Sequence, residues 1–285
     1  MREETAEGMT SKLEAEHIFQ QLNKAIIISI GNEILIGKIL NTNAHWLSGE
    51  LTRLGFLVDS CLTVQDNVTD IGSAFRYAWR RRARVVISTG GLGPTFDDKT
   101  VEGLARAFSL PLNINPEALK FIREKYESRG MTITPERLKM AYMPVGAIPL
   151  ENPAGTAPGI YLKHYGTHFF ILPGPPKEVE AIFNAHVRPL IESIFKRVEF
   201  LEASITIRGI PESEFAPVVR EAMEKFKNVY VKSHPKGFEL GSPVLEIHIT
   251  TFDKGNSPIL KECFQFIIGR AEKLGGEITI SKGPV

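Results

Sequence analysis

The chain has 285 residues, a length that fits two domains at the usual roughly 100–200 residues each. Its 34 basic and 33 acidic residues leave a net charge of +1, which excludes a bulk nucleic-acid binder while leaving room for a local basic patch. No stretch approaches the ~20 apolar residues of a membrane span, the polar opening "MREETAEGMTSKLEAEHIFQQLNK" has no apolar signal-peptide core, and no CxxC or HxxxH spacing supports zinc. The expectation is a soluble, cytoplasmic protein. Cys61 and Cys263 are expected to be reduced, buried thiols.

Residues 1–23 read as a weakly patterned helical or flexible segment. "KAIIISI" (24–30) is a continuous β-branched run, the sign of a strand buried on both faces. Ala44, Leu47, Leu51 and Leu54 then share a helical face that Gly55 ends. "FLVDSCLTV" (56–64) is a second strand. A second helix follows with Thr69 or Asp70 as N-cap. "RVVIST" (84–89) is a third strand, and "DDKTVEGLARAFSL" opens a helix on its acidic end, as the helix dipole favours. The β-α-β-α-β-α alternation predicts a mostly parallel sheet covered on both faces. Pro116 and Pro135 mark further helix starts. "ENPAGTAPGIYL" is a loop leading into a short strand. "HFFIL", "PGPP" and the segment from Lys177 give strand, turn and helix. From about residue 199 the order is β-α-β-β-α-β, the split-βαβ or ferredoxin-like pattern. The predicted division is thus 1–23, 24–198 and 199–285.

In an open α/β sheet, ligands gather beyond the carboxyl ends of the strands. Four loops are expected there: 31–43, 90–98, 152–159 and 172–178. In "TGGLGPTFDDKT" (89–100), Gly90, Gly91 and Gly93 can bring backbone N–H groups close to an anion. Spacing rules out the nicotinamide and P-loop fingerprints. Asp97 and Asp98 would repel that anion. One reading makes them a helix cap and a first-turn charge. The other places a divalent cation, Mg²⁺ or similar, between the carboxylates and a diphosphate. Glu33 is a further carboxylate with a capping alternative. Thr95, Thr100 and Thr156 offer hydroxyls to phosphate or a metal-bound water, with ordinary capping as the alternative. Asn43 and Asn152 could read a ribose or base, or serve their own turns. Gly155 and Gly174 belong to the expected binding loops, and Lys177 could meet an anion. "RYAWRRRAR" (76–84) is basic with interleaved aromatics, and reads first as a solvated helix face and second as an RNA contact. His164, His168, His186 and His248 lack ligand spacing and read as packing or surface residues.

With these motifs in view, the sequence resembles the N-terminal part of the CinA (competence/damage-inducible) family. The resemblance rests on "GNEILIGKILNTN", "TGGLGPTFDDKT", "NPAGTAPG" and "LPGPPKEVEAIF", in that order over roughly residues 24–195. It extends to the molybdopterin-binding (MoaB/MogA-like) superfamily. It implies a three-layer α/β/α domain with a mostly parallel sheet, a small α+β KH-type or ferredoxin-like second domain, and a homo-oligomer, dimer or trimer. It also implies metal-dependent hydrolysis of ADP-ribose or a related dinucleotide such as FAD, with Asp97, Asp98 and Glu33 at the chemistry. The deamidase domain of longer family members is not carried over, since nothing follows residue 285. The second unit has no GxxG loop, which makes RNA binding by a KH mechanism unexpected. Pro175 stands where the family motif commonly has Val. Two rivals remain: a pterin-binding or adenylylating enzyme of molybdenum-cofactor synthesis, and a non-enzymatic nucleotide-sensing or RNA-associated scaffold.

Overall fold

A computed structural model describes residues 22–239 and 242–284. The expected N-terminal helical segment lies almost wholly outside the described residues. The chain divides into two compact units, one of residues 23–52 and 56–196, the other including 197–284.

The first unit is built on a six-stranded sheet of β1 (Asn23–Ile30), β2 (Phe56–Val64), β3 (Val85–Thr89), β6 (Ile148–Leu150), β7 (Gly159–His164) and β8 (Thr167–Leu172). Their order is β2-β1-β3-β8-β7-β6. The pairs β1–β2, β1–β3 and β3–β8 are parallel. The pairs β7–β8 and β6–β7 are antiparallel, so the sheet is mixed at one side. The cause is a tight hairpin at Tyr165–Gly166, both with positive φ. β4 (Leu112–Ile114) and β5 (Tyr142–Pro144) form a separate two-stranded ribbon inside a stretch expected to be helical.

Helices cover both faces. Ile26, Ile28 and Ile30 of β1 pack with Ile71 and Phe75 of α3 (Val68–Arg80), Leu104 of α4 (Thr100–Phe108) and Ile122 of α5 (Pro116–Glu127). The alternate residues Ala25 and Ile27 are also fully buried and face the other way. That layer holds α2 (Thr42–Arg53), α7 (Pro176–Ile182) and α8 (Arg188–Ile194), with a π-turn at Phe183–Val187. Trp46 of α2 meets Phe183 edge to face at 5.2 Å. Two further short helices are α1 (Asn32–Leu35) and α6 (Pro135–Lys139). The N-cap of α3 is Asn67, whose side chain accepts the Asp70 N–H, and not Thr69 or Asp70. Asn67 has the extended backbone a cap needs, whereas Thr69 and Asp70 are already helical.

The β1–β2 register slips by one residue. Ala25 pairs with Val58 but Ile26 pairs with Ser60, leaving Asp59 as an extra residue in β2. Arg81 holds Asp59 through two hydrogen bonds of 3.1 and 2.9 Å, which keeps that carboxyl below its usual pKa. Cys61 lies on this same edge strand and is exposed, not buried as expected. Cys263 is buried, and burial pushes its thiol up to about 12.

The second unit is an antiparallel sheet of β9 (Phe200–Arg208), β10 (Tyr230–Glu239), β11 (Ser242–Phe252) and β12 (Glu277–Lys282), in the order β10-β11-β9-β12. α9 (Glu212–Lys225) and α10 (Ser257–Lys273) complete the expected βαββαβ order. Ile205, Ile247, Phe215, Phe264 and Cys263 share its core. On the polar face, Glu202, Glu246 and His248 mix with Lys236 and Lys282. Such mixed charge argues against an RNA platform, which needs basic residues with stacking rings.

Candidate functional site

The parallel strands β1, β2, β3 and β8 end at one edge of the sheet, and their exits open a cleft of about 370 Å³. The chain turns to opposite sides of β1 for β2 and β3, the topological switch that leaves such a crevice. The loop before β7 reaches it too. Because β7 runs antiparallel to β8, its start lies beside the end of β8. Glu33, Gly90, Gly91, Gly93, Thr95, Asp97, Asp98, Thr156 and Gly174 all line the cleft.

The glycine loop follows from sterics. Gly90 and Gly91 have φ of 102° and 67°. A Cβ on Gly90 would stand 2.2 Å from the Ile30 carbonyl oxygen, and one on Gly91 would stand 2.2 Å from Thr100 Oγ1. The Gly90 N–H donates to the Leu172 carbonyl at 3.0 Å, so it does not face a ligand. Thr100 is likewise structural: it is fully buried and its hydroxyl donates to the Gly90 carbonyl at 2.8 Å.

α4 begins at Thr100 with Lys99 as N-cap and no side-chain capping bond. Asp97 and Asp98 therefore sit in the preceding turn and cap nothing. Thr95 joins them. Its N–H donates to Asp98 Oδ2 at 2.8 Å, and its hydroxyl lies 2.6 Å from the same oxygen and in contact with Asp97 Oδ1. One hydroxyl proton is thus shared between two carboxylates. The Thr95 hydroxyl, more than any other neighbour, holds the Asp97 carboxyl below its usual pKa.

Two more carboxylates line the cleft that the sequence reading did not single out, Asp66 and Glu178. Asp66 follows β2 and accepts the Asn32 N–H at 2.7 Å. Burial raises its pKa, and the charges of Glu33, Asp97 and Asp98 raise it further. The rule about strand ends covers residue 66 as well as the other loops, so the signal existed. Glu33 folds back over Gly31, where a Cβ would meet its carboxylate at 2.6 Å. Lys139, at the end of α6, was equally unflagged. Its ammonium donates to the carbonyls of Thr95, at 2.8 Å, and Asp98, so it straps the aspartate turn. A lysine in a helix's last turn has a dipole explanation, which hides this role.

Other expected readers are engaged elsewhere. Asn152 is 2 % exposed. Its amide donates to the Ala157 carbonyl and Glu178, and its oxygen accepts the N–H groups of Ala154 and Gly155. That saturates the side chain, which builds the loop and has no bond left for a ligand. Gly155 packs against Glu178, with 2.3 Å to a built Cβ. The Asn43 amide donates to the Gly174 carbonyl at 2.8 Å, tying α2 to the loop after β8. Lys177 is exposed and lies outside the cleft lining.

A second hollow of about 260 Å³ shares Gly91, Gly93, Asp98 and Met140 with the cleft. Its remaining wall is largely apolar, with Val101, Leu112 and Ile160, and carries Glu102 and Lys139. Among the described residues, no three His, Cys, Asp or Glu side chains are grouped so as to hold a metal ion by themselves. None of the described helices is long and apolar enough to cross a membrane.

The family described as "Probable molybdopterin binding domain" matches residues 26–193, which hold the cleft and all of the sheet but the first three residues of β1. The chain belongs to this family. A protein of Pyrobaculum aerophilum is 54 % identical over 225 residues, covering 79 % of this chain and 84 % of the relative. One of Aeropyrum pernix is 45 % identical over 260 residues, covering 90 % and 96 %. The solved structure of the protein CinA, of unknown function, from Thermoplasma acidophilum is 45 % identical with a TM-score of 0.56, covering 59 % of this chain and 99 % of that one. The likeness to CinA and the molybdopterin-binding fold expected from the loop motifs is thereby shown.

Proposed function

We propose that this molybdopterin-binding-type domain hydrolyses a diphosphate linkage in a nucleoside-containing substrate such as ADP-ribose or FAD, with the help of a divalent cation. The observation that carries the reading is the convergence of Asp97 and Asp98 on the Thr95 hydroxyl at a glycine-walled cleft of about 370 Å³. Two carboxylates with open positions suit Mg²⁺, which binds through one or two carboxylates together with phosphate oxygens and water. Asp97 and Asp98 would hold the ion, with Glu33 beside them. When bound, it would neutralise the diphosphate and ease ionisation of a water.

The chain's own groups would do the rest. The N–H groups of Gly91 and Gly93 would receive phosphate oxygens and their growing negative charge. Thr156 would position the substrate from the opposite wall. Asp66 holds its proton more readily than an ordinary aspartate, which suits it to take one from the attacking water. Lys139 would keep the aspartate turn in place. The apolar hollow beside Asp98 would take a flat heterocycle.

A second reading, a pterin ligand in the same cleft, draws on the family match and on Glu102 in the hollow, whose carboxylate could accept the paired N–H groups of a pterin edge. Incubating the purified protein with ADP-ribose, FAD and a molybdopterin precursor, with and without Mg²⁺, separates the two. Metal-dependent release of nucleoside monophosphate supports hydrolysis. Tight pterin binding without dinucleotide turnover replaces it with the second reading.

A further inference from the structure

At the opposite end of the same sheet lies a basic and aromatic pocket that the proposed hydrolysis does not use. It has a volume of about 440 Å³ and is formed by the end of α3, the start of β3 and the β7–β8 turn. Arg80, Arg82 and Arg84 line it together with Trp79 and Tyr165, and no acidic side chain does. Among the described residues none of these three arginines has a carboxylate within ion-pair distance, whereas neighbouring Arg81 is turned away onto Asp59. Arg84 lies 5.6 Å over the Phe195 ring.

The two rings are exposed yet fixed. Trp79 and Tyr165 are 38 % and 79 % exposed, with centroids 6.0 Å apart. Phe108 meets Trp79 edge to face from behind, and His164 backs Tyr165 at 4.3 Å. Tyr165 also occupies a costly position. It is the first of two positive-φ residues in a hairpin turn, at φ 43°, where Asn, Asp or Gly fits with less strain. A tyrosine there adds little to folding, since most of its ring is in solvent.

From this arrangement we infer that the pocket binds single-stranded nucleic acid, with a base stacked on Tyr165 or Trp79 and adjacent phosphates on Arg80 and Arg82. Exposed rings beside unpaired guanidinium groups are the chemistry that holds such strands without reading their sequence. Three arginines in one pocket with the two rings fit successive phosphates better than the single charged end of a mononucleotide. The mixed-charge face of the second unit offers no such combination.

Trp79 can report on this directly. In a Trp46→Phe background it is the only tryptophan. Titration with a 12-nucleotide oligo-uridylate or oligo-thymidylate is expected to quench its emission, with affinity falling as salt rises. Arg80→Ala with Arg82→Ala should weaken binding and lower the log–log salt slope by about 1.4, two phosphate contacts at ~0.7 each. Tyr165→Ala should weaken it about tenfold or more without changing that slope, the cost of losing one stacked base. Both variants should keep the melting temperature and the turnover of the cleft substrate. The inference is overturned if no oligomer quenches Trp79, if AMP binds as tightly as the 12-mer, or if inorganic polyphosphate competes equally and Tyr165→Ala binds unchanged. Each outcome is independent of whether the cleft proves to hydrolyse a dinucleotide.

Discussion

The Thr95 amide N–H and hydroxyl both meet one oxygen of Asp98, at 2.8 and 2.6 Å. This double contact fixes the turn that presents Asp97. Thr95→Val keeps the shape of the side chain and deletes the shared proton. We expect a fall of about 10–100-fold in the proposed metal-dependent activity, the usual cost of disturbing a group that orients a ligand carboxylate. Stability should change by less than about 1.5 kcal/mol, because the turn is solvent-exposed. Steady-state kinetics and a thermal melt on one preparation check both parts.

The cleft gathers Glu33, Asp66, Asp97, Asp98 and Glu178, with Lys139 spent on backbone carbonyls. A cation that binds only the folded state must raise the melting temperature. Millimolar Mg²⁺ or Mn²⁺ should do so for the wild type and not for an Asp97→Asn, Asp98→Asn double variant. Retained metal-dependent turnover in that variant would remove the two aspartates from the metal role.

Lys139→Met leaves the carboxylates in place and cuts the strap across their turn. Turnover in the proposed reaction should drop about tenfold, with a weaker apparent affinity for the proposed metal, and Lys139→Arg should recover part of the loss. A metal titration of initial rates distinguishes this from a general loss of fold.

Two glycines with similar positive φ should respond very differently to alanine. At Gly166 (φ 81°) no atom lies within 4 Å of a built Cβ, so only the left-handed strain of about 1–2 kcal/mol applies. At Gly90 the Cβ would collide with the Ile30 carbonyl oxygen at 2.2 Å, in addition to the same strain. Gly90→Ala should cost more than about 3 kcal/mol, and chemical denaturation of the pair reads the difference.

Burial holds the imidazoles of His164 and His168 below their usual pKa of 6.5. The folded state therefore prefers them neutral, and the unfolded chain takes up protons first as pH falls. Their contribution is fully present above pH 6.5 and is lost as pH falls below that value toward their lowered native pKa values. Asp66, raised in the fold, works with the opposite sign near the carboxylate range. Melting temperatures from pH 7.5 to 5 should fall for the wild type, and fall less for His168→Gln. His168 accepts or donates at Tyr161 Oη over 2.9 Å, so glutamine retains a hydrogen-bonding partner there.

The buried strands were plain in the sequence because β-branched runs such as "AIIISI" have no other use than a sheet covered twice. The second unit's βαββαβ order was equally plain from its alternation. The β7–β8 reversal was not, because Tyr165 disguises a turn that asparagine or glycine would announce. That the glycine loop and its two aspartates lie beyond the strand ends was legible, and they line the cleft there, whereas their freedom from capping depends on α4 starting at Thr100. Asn152 shows the limit best. An amide that reads ligands and an amide that saturates its own loop have the same letter, and only the four contacts tell them apart.

The extra residue at Asp59 gives β2 something like a shifted reading frame. Before it, Val58 pairs with Ala25 and Phe56 meets Phe195 at 5.1 Å, on the α8 side. After it, Leu62 pairs with Ile28, and Leu62 and Val64 join the α3 side. The four β2 residues Phe56, Val58, Leu62 and Val64 all have even numbers, so simple alternation would send them to one face. A single inserted backbone unit lets one edge strand serve two cores. Deleting it would strand half of the apolar side chains on the wrong layer, a far larger injury than losing one partly exposed aspartate.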